Sequence, residues 1–198
     1  MTSSIRLDKR DLILAKGAQL MTRRGYHGTG VLQIVQAAGI PKGSFYHYFA
    51  SKEDFALQAL DHLYEPRLRR YAQALGDSAE TPRVRILAHY GELVAHFSRQ
   101  HSPEYHCFIG SLSFEMAELC QPIGHRVESI LQRSVAILSE CLNAACQAGE
   151  LDRDTDCEAL AEFIGNAWEG ALMRMKVGAS AAPLRVFLTQ LERLLTPR

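Results

Sequence analysis

Residues 31–50, V-L-Q-I-V-Q-A-A-G-I-P-K-G-S-F-Y-H-Y-F-A, decide the fold. Val31 to Ala38 reads as one short helix, with Gly30 at its N-cap and Gln33 at the capping-box position. Gly39-Ile40 makes a turn. Pro41 opens a second short helix, because its missing N–H would be unpaired there anyway. Phe45 and Phe49, four apart, share a face and pin that helix inward. Two short helices joined by a tight glycine turn, behind a longer helix, make a helix-turn-helix.

Outward from this stretch the pattern is helical nearly throughout. Apolar residues recur at three- and four-residue spacing, and strict alternation is rare. The preceding helix is expected from Asp8 to Arg24, with Gly25 as its stop. Ser51-Lys52-Glu53-Asp54 is a second cap signature and starts a helix through Leu75. Further helices are expected over 82–100, 104–119, 122–148, 155–178 and 183–195. The fold class is therefore all-α with about nine helices, a head over 8–68 and a body over 69–198. There is no internal repeat.

Composition excludes several classes. The chain has 198 residues, 47% hydrophobic and 22% charged, which is neither disordered nor disulfide-dense. No run approaches the ~20 apolar residues that span a bilayer, so no membrane partner is expected. The N-terminus lacks an apolar signal region, and a cytoplasmic location is expected. Five cysteines (Cys107, Cys120, Cys141, Cys146 and Cys157) include no C-x-x-C pair, and free thiols are expected. Cys141 and Cys146, five apart on one helix, are poor disulfide partners. The zero net charge hides a split: residues 1–52 carry eight basic and two acidic side chains, and the remainder 14 basic and 20 acidic. A basic head on an acidic body suits a polyanion met by the head alone; a merely solvated surface is the competing reading.

The second short helix has the chemistry for a DNA major groove, which such a helix enters by its N-terminal end. Gly43 lets the backbone approach, Ser44 can bond a base edge or phosphate, and Lys42 supplies a point charge. Tyr46, His47 and Tyr48 present donors along the sugar-phosphate backbone. Consecutive residues on a helix face different directions, so these three cannot all be core.

G-Y-x-x-T at 25–29, followed by I-V-Q-A-A-G-I-P-K-G-S-F-Y-H-Y-F-x-S-K-E at 34–53, resembles the head of tetracycline-repressor-type regulators. The likeness covers roughly residues 8–68. It implies contacts to double-stranded DNA, a pseudo-palindromic operator, from Thr29, Gly30, Val31, Pro41, Lys42, Gly43, Ser44, Tyr46, His47, Tyr48 and Lys52. Of these, Thr29, Tyr46, His47 and Lys52 would mainly hold phosphates. Gly30 and Pro41 depart from the family's usual Ser or Thr and Ser, so one possible phosphate contact and one backbone N–H contact are lost. The resemblance also implies a homodimer formed through the last two helices. Their wide apolar stripes supply Leu160, Phe163, Ile164, Trp168, Phe187, Leu188, Leu191 and Leu195 as candidate interface residues, with ordinary core as the competing reading.

The run C-x-x-G-x-L-x-x-E-M at 107–116, with W-E-G-A at 168–171, is similar to a branch of that family. The branch includes the regulators of N-ethylmaleimide reductase and of acrylate utilisation. The resemblance implies a small-molecule effector, a reactive electrophile or unsaturated carbonyl, met at Cys107. His106, Ser111 and Trp168 are companions by type, as are Tyr90 and Arg174 for a carboxylate. Cys107 falls in the first turn of an expected helix, where thiol pKa is lowered; an inert buried thiol is the competing reading. No cofactor is implied. His89, Glu92 and His96 share a helix face, but a solvated face accounts for them better than a metal. No nucleophile elbow, phosphate loop or zinc-helix signature points to an enzyme. Pro66 interrupts the 52–75 helix, expected as the sole covalent link between head and body, and marks a candidate hinge.

Overall fold

The structure, a computed structural model, describes residues 9–76, 79–99 and 108–196. Among them are nine α-helices, one 3-10 turn and no strand. They are α1 (Lys9–Arg24), α2 (Val31–Ala37), a 3-10 turn (Lys42–Ser44), α3 (Phe45–Tyr48), α4 (Lys52–Leu75), α5 (Pro82–Ser98), α6 (Phe108–Met116), α7 (Gln121–Gln147), α8 (Cys157–Gly178) and α9 (Ala182–Leu194). His106 and Cys107 lie outside the described residues, as does Asp8, the expected start of α1.

The helix ends follow local chemistry. Gly25, at φ 79°, terminates α1 in the left-handed region that favours glycine. Gly39, at φ 67°, makes the turn after α2. The Ser51 Oγ accepts from Asp54 N–H at 3.1 Å, and the Asp54 carboxylate accepts from Ala50 N–H at 2.8 Å, a reciprocal start for α4. Asp156 caps α8 by accepting from Ala159 N–H at 3.0 Å. One expectation is corrected. Pro41 does not open an α-helix; it caps the 3-10 turn, whose Ser44 N–H donates to Pro41 O at 3.0 Å.

The chain divides into two compact units. The first holds the described residues up to Pro66 and those from Phe108 to Ile130. Its core centres on Phe45, Phe49 and Phe55, each at most 1% exposed, with ring centroids 5.1–5.7 Å apart. Gly17 makes room for them: a Cβ there would lie 2.5 Å from Phe55 Cζ and 2.6 Å from Ile34 Cγ2. α1 packs on both α2 and α6.

The second unit holds the described residues of 67–105 and those from Leu131 onward. Ile86, Leu142, Ala161, Leu172, Met175 and Leu184 are fully buried in its core. Tyr90 packs edge-on against Trp168 at 5.3 Å and beside Phe187 at 5.2 Å, and its hydroxyl lies 3.2 Å from that of Tyr71. The start of α5 is tied twice: Glu150 accepts from Arg83 N–H at 3.0 Å and from the Thr81 hydroxyl, and Arg83 Nε donates to Leu195 O at 2.6 Å.

α4 and α7 each begin in the first unit and finish in the second. The expectation that α4 is the sole covalent link is therefore corrected, because residues 108–130 belong with the head. The first unit ends at Pro66, yet α4 continues through it to Leu75.

His89 is half-buried with its ring 4.6 Å from that of Tyr71 and edge-on to Tyr90. Burial, offset in part by the Glu92 carboxylate, holds its imidazole below the ordinary histidine range. The unfolded chain then binds more protons between the two values, so stability is full above the ordinary pKa and falls as pH drops through that window. The denaturant midpoint is expected to decline from about pH 7 to about pH 5, and His89→Phe to flatten that decline.

Candidate functional sites

The sequence-derived DNA set lies in the first unit, but its members differ in exposure and in what they touch. Pro41, Lys42, Gly43, Tyr46 and His47 are exposed, Ser44 is half-buried, and Phe45 between them is sealed in the core. The short 3-10 turn and α3 thus present a polar edge from a hydrophobic root. Nothing stands within 4 Å of a Cβ placed at Gly43. Tyr48 is half-buried, edge-on to His47 at 5.0 Å. Gly30 is exposed at the start of α2, and Val31 behind it is half-buried. With no side chain on Gly30, Gln33 supplies the cap alone, its Oε1 accepting from Gly30 N–H at 2.9 Å.

One member of the set is corrected, and a second makes a contact within the fold. Thr29 is fully buried, and its hydroxyl donates to Gly25 O at 2.8 Å, so it shapes the α1–α2 turn rather than offering a phosphate contact. Lys52 is half-buried with its ammonium 4.1 Å from the centre of the Tyr26 ring. Burial holds its pKa below the usual lysine range, offset in part by Glu53 and Glu115. Its ammonium thus makes a cation–π contact with a ring that is itself core.

The same turn is held from α6. The Glu115 carboxylate accepts from His27 N–H at 3.1 Å and lies where any side chain at Gly25 would stand, 2.4 Å from such a Cβ. At the other end of α6, Ile109 N–H donates to the Tyr64 hydroxyl of α4 at 3.1 Å. Sequence reasoning missed Glu115 because no local pattern signals a partner 88 positions away. Of the effector candidates, Ser111 is half-buried on α6 in the first unit. Trp168 and Tyr90 belong to the aromatic cluster of the second unit, while Arg174 is exposed. Burial pushes the Tyr90 phenol up to about 12, so it stays a neutral donor and acceptor.

α8 and α9 pack on each other and leave an apolar groove of about 710 Å³. Phe163, Val186 and Leu194 stand exposed along it, while Ile164, Phe187 and Leu191 form its floor. Val186 and Leu194 were missed, since a stripe's spacing does not say which of its residues is left uncovered. Leu195 is corrected from interface to core, being 0% exposed. Leu160, Trp168 and Leu188 pack partly buried against the same core. A second cavity, about 270 Å³, is lined by Leu75, Arg85, Ile137, Glu140 and Cys141 among others. The Arg85 Nε is buried there without an acceptor. His89, Glu92 and His96 do not share one solvated face, because His89 is stacked inward while the other two are exposed.

Residues 13–59 match the family model for bacterial regulatory proteins of the tetR family, and residues 81–191 match the tetracyclin repressor-like C-terminal domain. DhaR, an HTH-type transcriptional repressor of Mycobacterium sp. (strain GP1), is 31% identical over 188 residues, covering 95% of this chain and 92% of that one. AcuR, a transcriptional regulator of Cereibacter sphaeroides, is 33% identical over 177 residues, covering 88% and 80%. The crystal structure of reduced Escherichia coli NemR superposes with a TM-score of 0.86 at 30% identity, covering 94% of this chain and 96% of that one. Family members bind DNA operators and small-molecule effectors and usually act as dimers. These relatives are regulators rather than enzymes. With a helix-turn-helix head, an all-helical body and matches to both family models, this chain belongs to the tetracycline-repressor family of DNA-binding transcriptional regulators.

Proposed function

We propose that the protein is a cytoplasmic repressor that leaves its operator when a small electrophile reaches Cys107. The observation that carries the DNA part is the exposed edge from Pro41 to His47, rooted in the core by Phe45 and Phe49. Positions 42–44 would lie nearest the bases, with Tyr46 and His47 on the phosphates. Two copies joined across the groove of Phe163, Val186 and Leu194 would present two such edges to a pseudo-palindromic site with half-sites ~34–36 Å apart. The repressor sense follows DhaR and NemR, both of which are repressors.

Cys107 immediately precedes α6, and α6 suggests a route to the head. A covalent adduct on a thiol at its start would displace the Ile109 end from Tyr64. The opposite end would then carry Glu115 away from His27 and release the turn that sets Thr29 and Gly30. The electrophile would be an unsaturated carbonyl or carboxylate, whose activated carbon accepts the thiolate. NemR, described in a reduced form, is a relative for which oxidation state defines a structure.

Three outcomes test this reading. Lys42→Ala is expected to weaken binding to the operator about tenfold and binding to random DNA less, as a residue among those nearest the bases would. Glu115→Ala is expected to weaken operator binding about tenfold, with the circular dichroism spectrum and Tm close to wild type. Fluorescence anisotropy on DNA from upstream of the protein's own gene tests the effector. Wild type is expected to release on N-ethylmaleimide or acrylate, and Cys107→Ser to stay bound. Release of both proteins by acrylate, abolished by Arg85→Gln, would move the effector to the Arg85 cavity and leave Cys107 structural.

A further inference from the structure

Three of the four described cysteines are buried, and two of them meet. The Cys146 and Cys157 sulfurs are 3.5 Å apart, van der Waals contact between thiols, although 11 positions separate them in sequence. Cys146 lies in the last turn of α7, and Cys157 is the first residue of α8. The connection between these helices is held from several sides. Gly149 takes φ 74°, Glu150 is bonded to Thr81 and Arg83, Leu151 is buried, and Asp156 caps α8. The sulfurs therefore face each other because two fixed helix ends place them there.

The pair lies just beneath the surface. Gln147, Ala148, Gly149, Asp156 and Glu158 around it are exposed, and Cys146 and Cys157 keep 8% and 5% of their own exposure, which leaves a path for a small oxidant. A disulfide needs sulfurs ~2.05 Å apart, so closure requires the two to approach by about 1.5 Å.

We infer that Cys146 and Cys157 are a dithiol modification site, which a hydroperoxide closes to an intrachain disulfide and a thiol reductant reopens. The Cys146 thiolate attacks one peroxide oxygen. The sulfur–oxygen bond forms, the oxygen–oxygen bond breaks, and hydroxide (or an alkoxide) leaves and takes up a proton. The Cys157 sulfur then attacks Cys146; the sulfur–sulfur bond forms, the sulfur–oxygen bond breaks, and the Cys157 proton goes with the departing hydroxide as water. Two thiol hydrogens and two electrons have passed to one peroxide. Cys157 suits the second role. Burial, and then its bond to Cys146 and that sulfur's charge, push its thiol up to about 11, so it keeps its proton until it attacks. This chemistry is separate from that proposed at Cys107, because neither sulfur lies in the 108–116 helix or beside it in sequence.

The test is peptide mapping of the folded full-length chain after hydrogen peroxide, with remaining thiols alkylated after unfolding and the digest kept non-reduced. Trypsin places Cys146 in the peptide Ser134–Arg153, with Cys141, and Cys157 in Asp154–Arg174. The expected product is these two peptides joined, less two hydrogen atoms, with Cys141 alkylated. Dithiothreitol is expected to separate them. The peptide carrying Cys107 and Cys120 is a different one, so the electrophile reading stands or falls independently. Cys141→Ala is expected to retain the cross-link, and Cys146→Ala and Cys157→Ala each to abolish it. In wild type the cross-link closes a short loop and is expected to raise Tm by roughly 5–10 °C, an increase absent from both of those variants. Recovery of both sulfurs alkylated after other thiols have been oxidised, or a cross-link that forms only after unfolding, would overturn the proposal.

Discussion

α3 has four residues, and a helix that short has no stability of its own in water. Its position is imposed by the contact of Phe45 and Phe49 with Phe55 at the start of α4, and that contact exists because Gly17 on α1 has no side chain. The polar edge of the head is therefore held in place by a hydrophobic cluster directly behind it. Burying such rings stabilises by several kcal/mol in total. Each polar residue of the edge, by comparison, contributes to the fold little or nothing. The division of labour alternates along the chain: Phe45 and Phe49 fix the segment, and Tyr46 and His47 face outward.

The fold was legible where a single residue decides a boundary. Gly25, Gly39, Ser51 and the apolar periodicity place α1, α2 and α4 to within a residue or two. The sequence misled where a polar group has a choice of partner. Thr29 could bond a phosphate or a carbonyl, and the left-handed turn at Gly25 brings the carbonyl within reach. Leu195 and Leu194 are adjacent and equally apolar, yet one is sealed and the other bare, because the 3.6-residue period turns neighbours to different faces. The Cys146–Cys157 contact escaped because spacing along one helix was the only geometry the sequence offered for judging cysteine pairs.

The two compact units do not coincide with the first and second parts of the chain. Residues 108–130 fold with the head although described residues of the second unit, between Arg67 and Arg99, come before them. The boundary is consequently crossed more than once, and two of the crossings run inside continuous helices, α4 and α7. Each of these helices is a continuous covalent route between the units, and α4 carries Pro66, which has no N–H to donate, where it leaves the first unit. α6 adds a route within the head itself, bonded at its start to α4 and at its end to the α1–α2 turn.

Gly43 combines exposure with empty surroundings, since a methyl group there would touch nothing. Most changes in a protein are limited by what they do to the margin of folding stability. At this position that limit is relaxed, because an added Cβ meets neither Phe45 nor the turn before it. Over evolutionary time, folding stability therefore leaves position 43 free to vary.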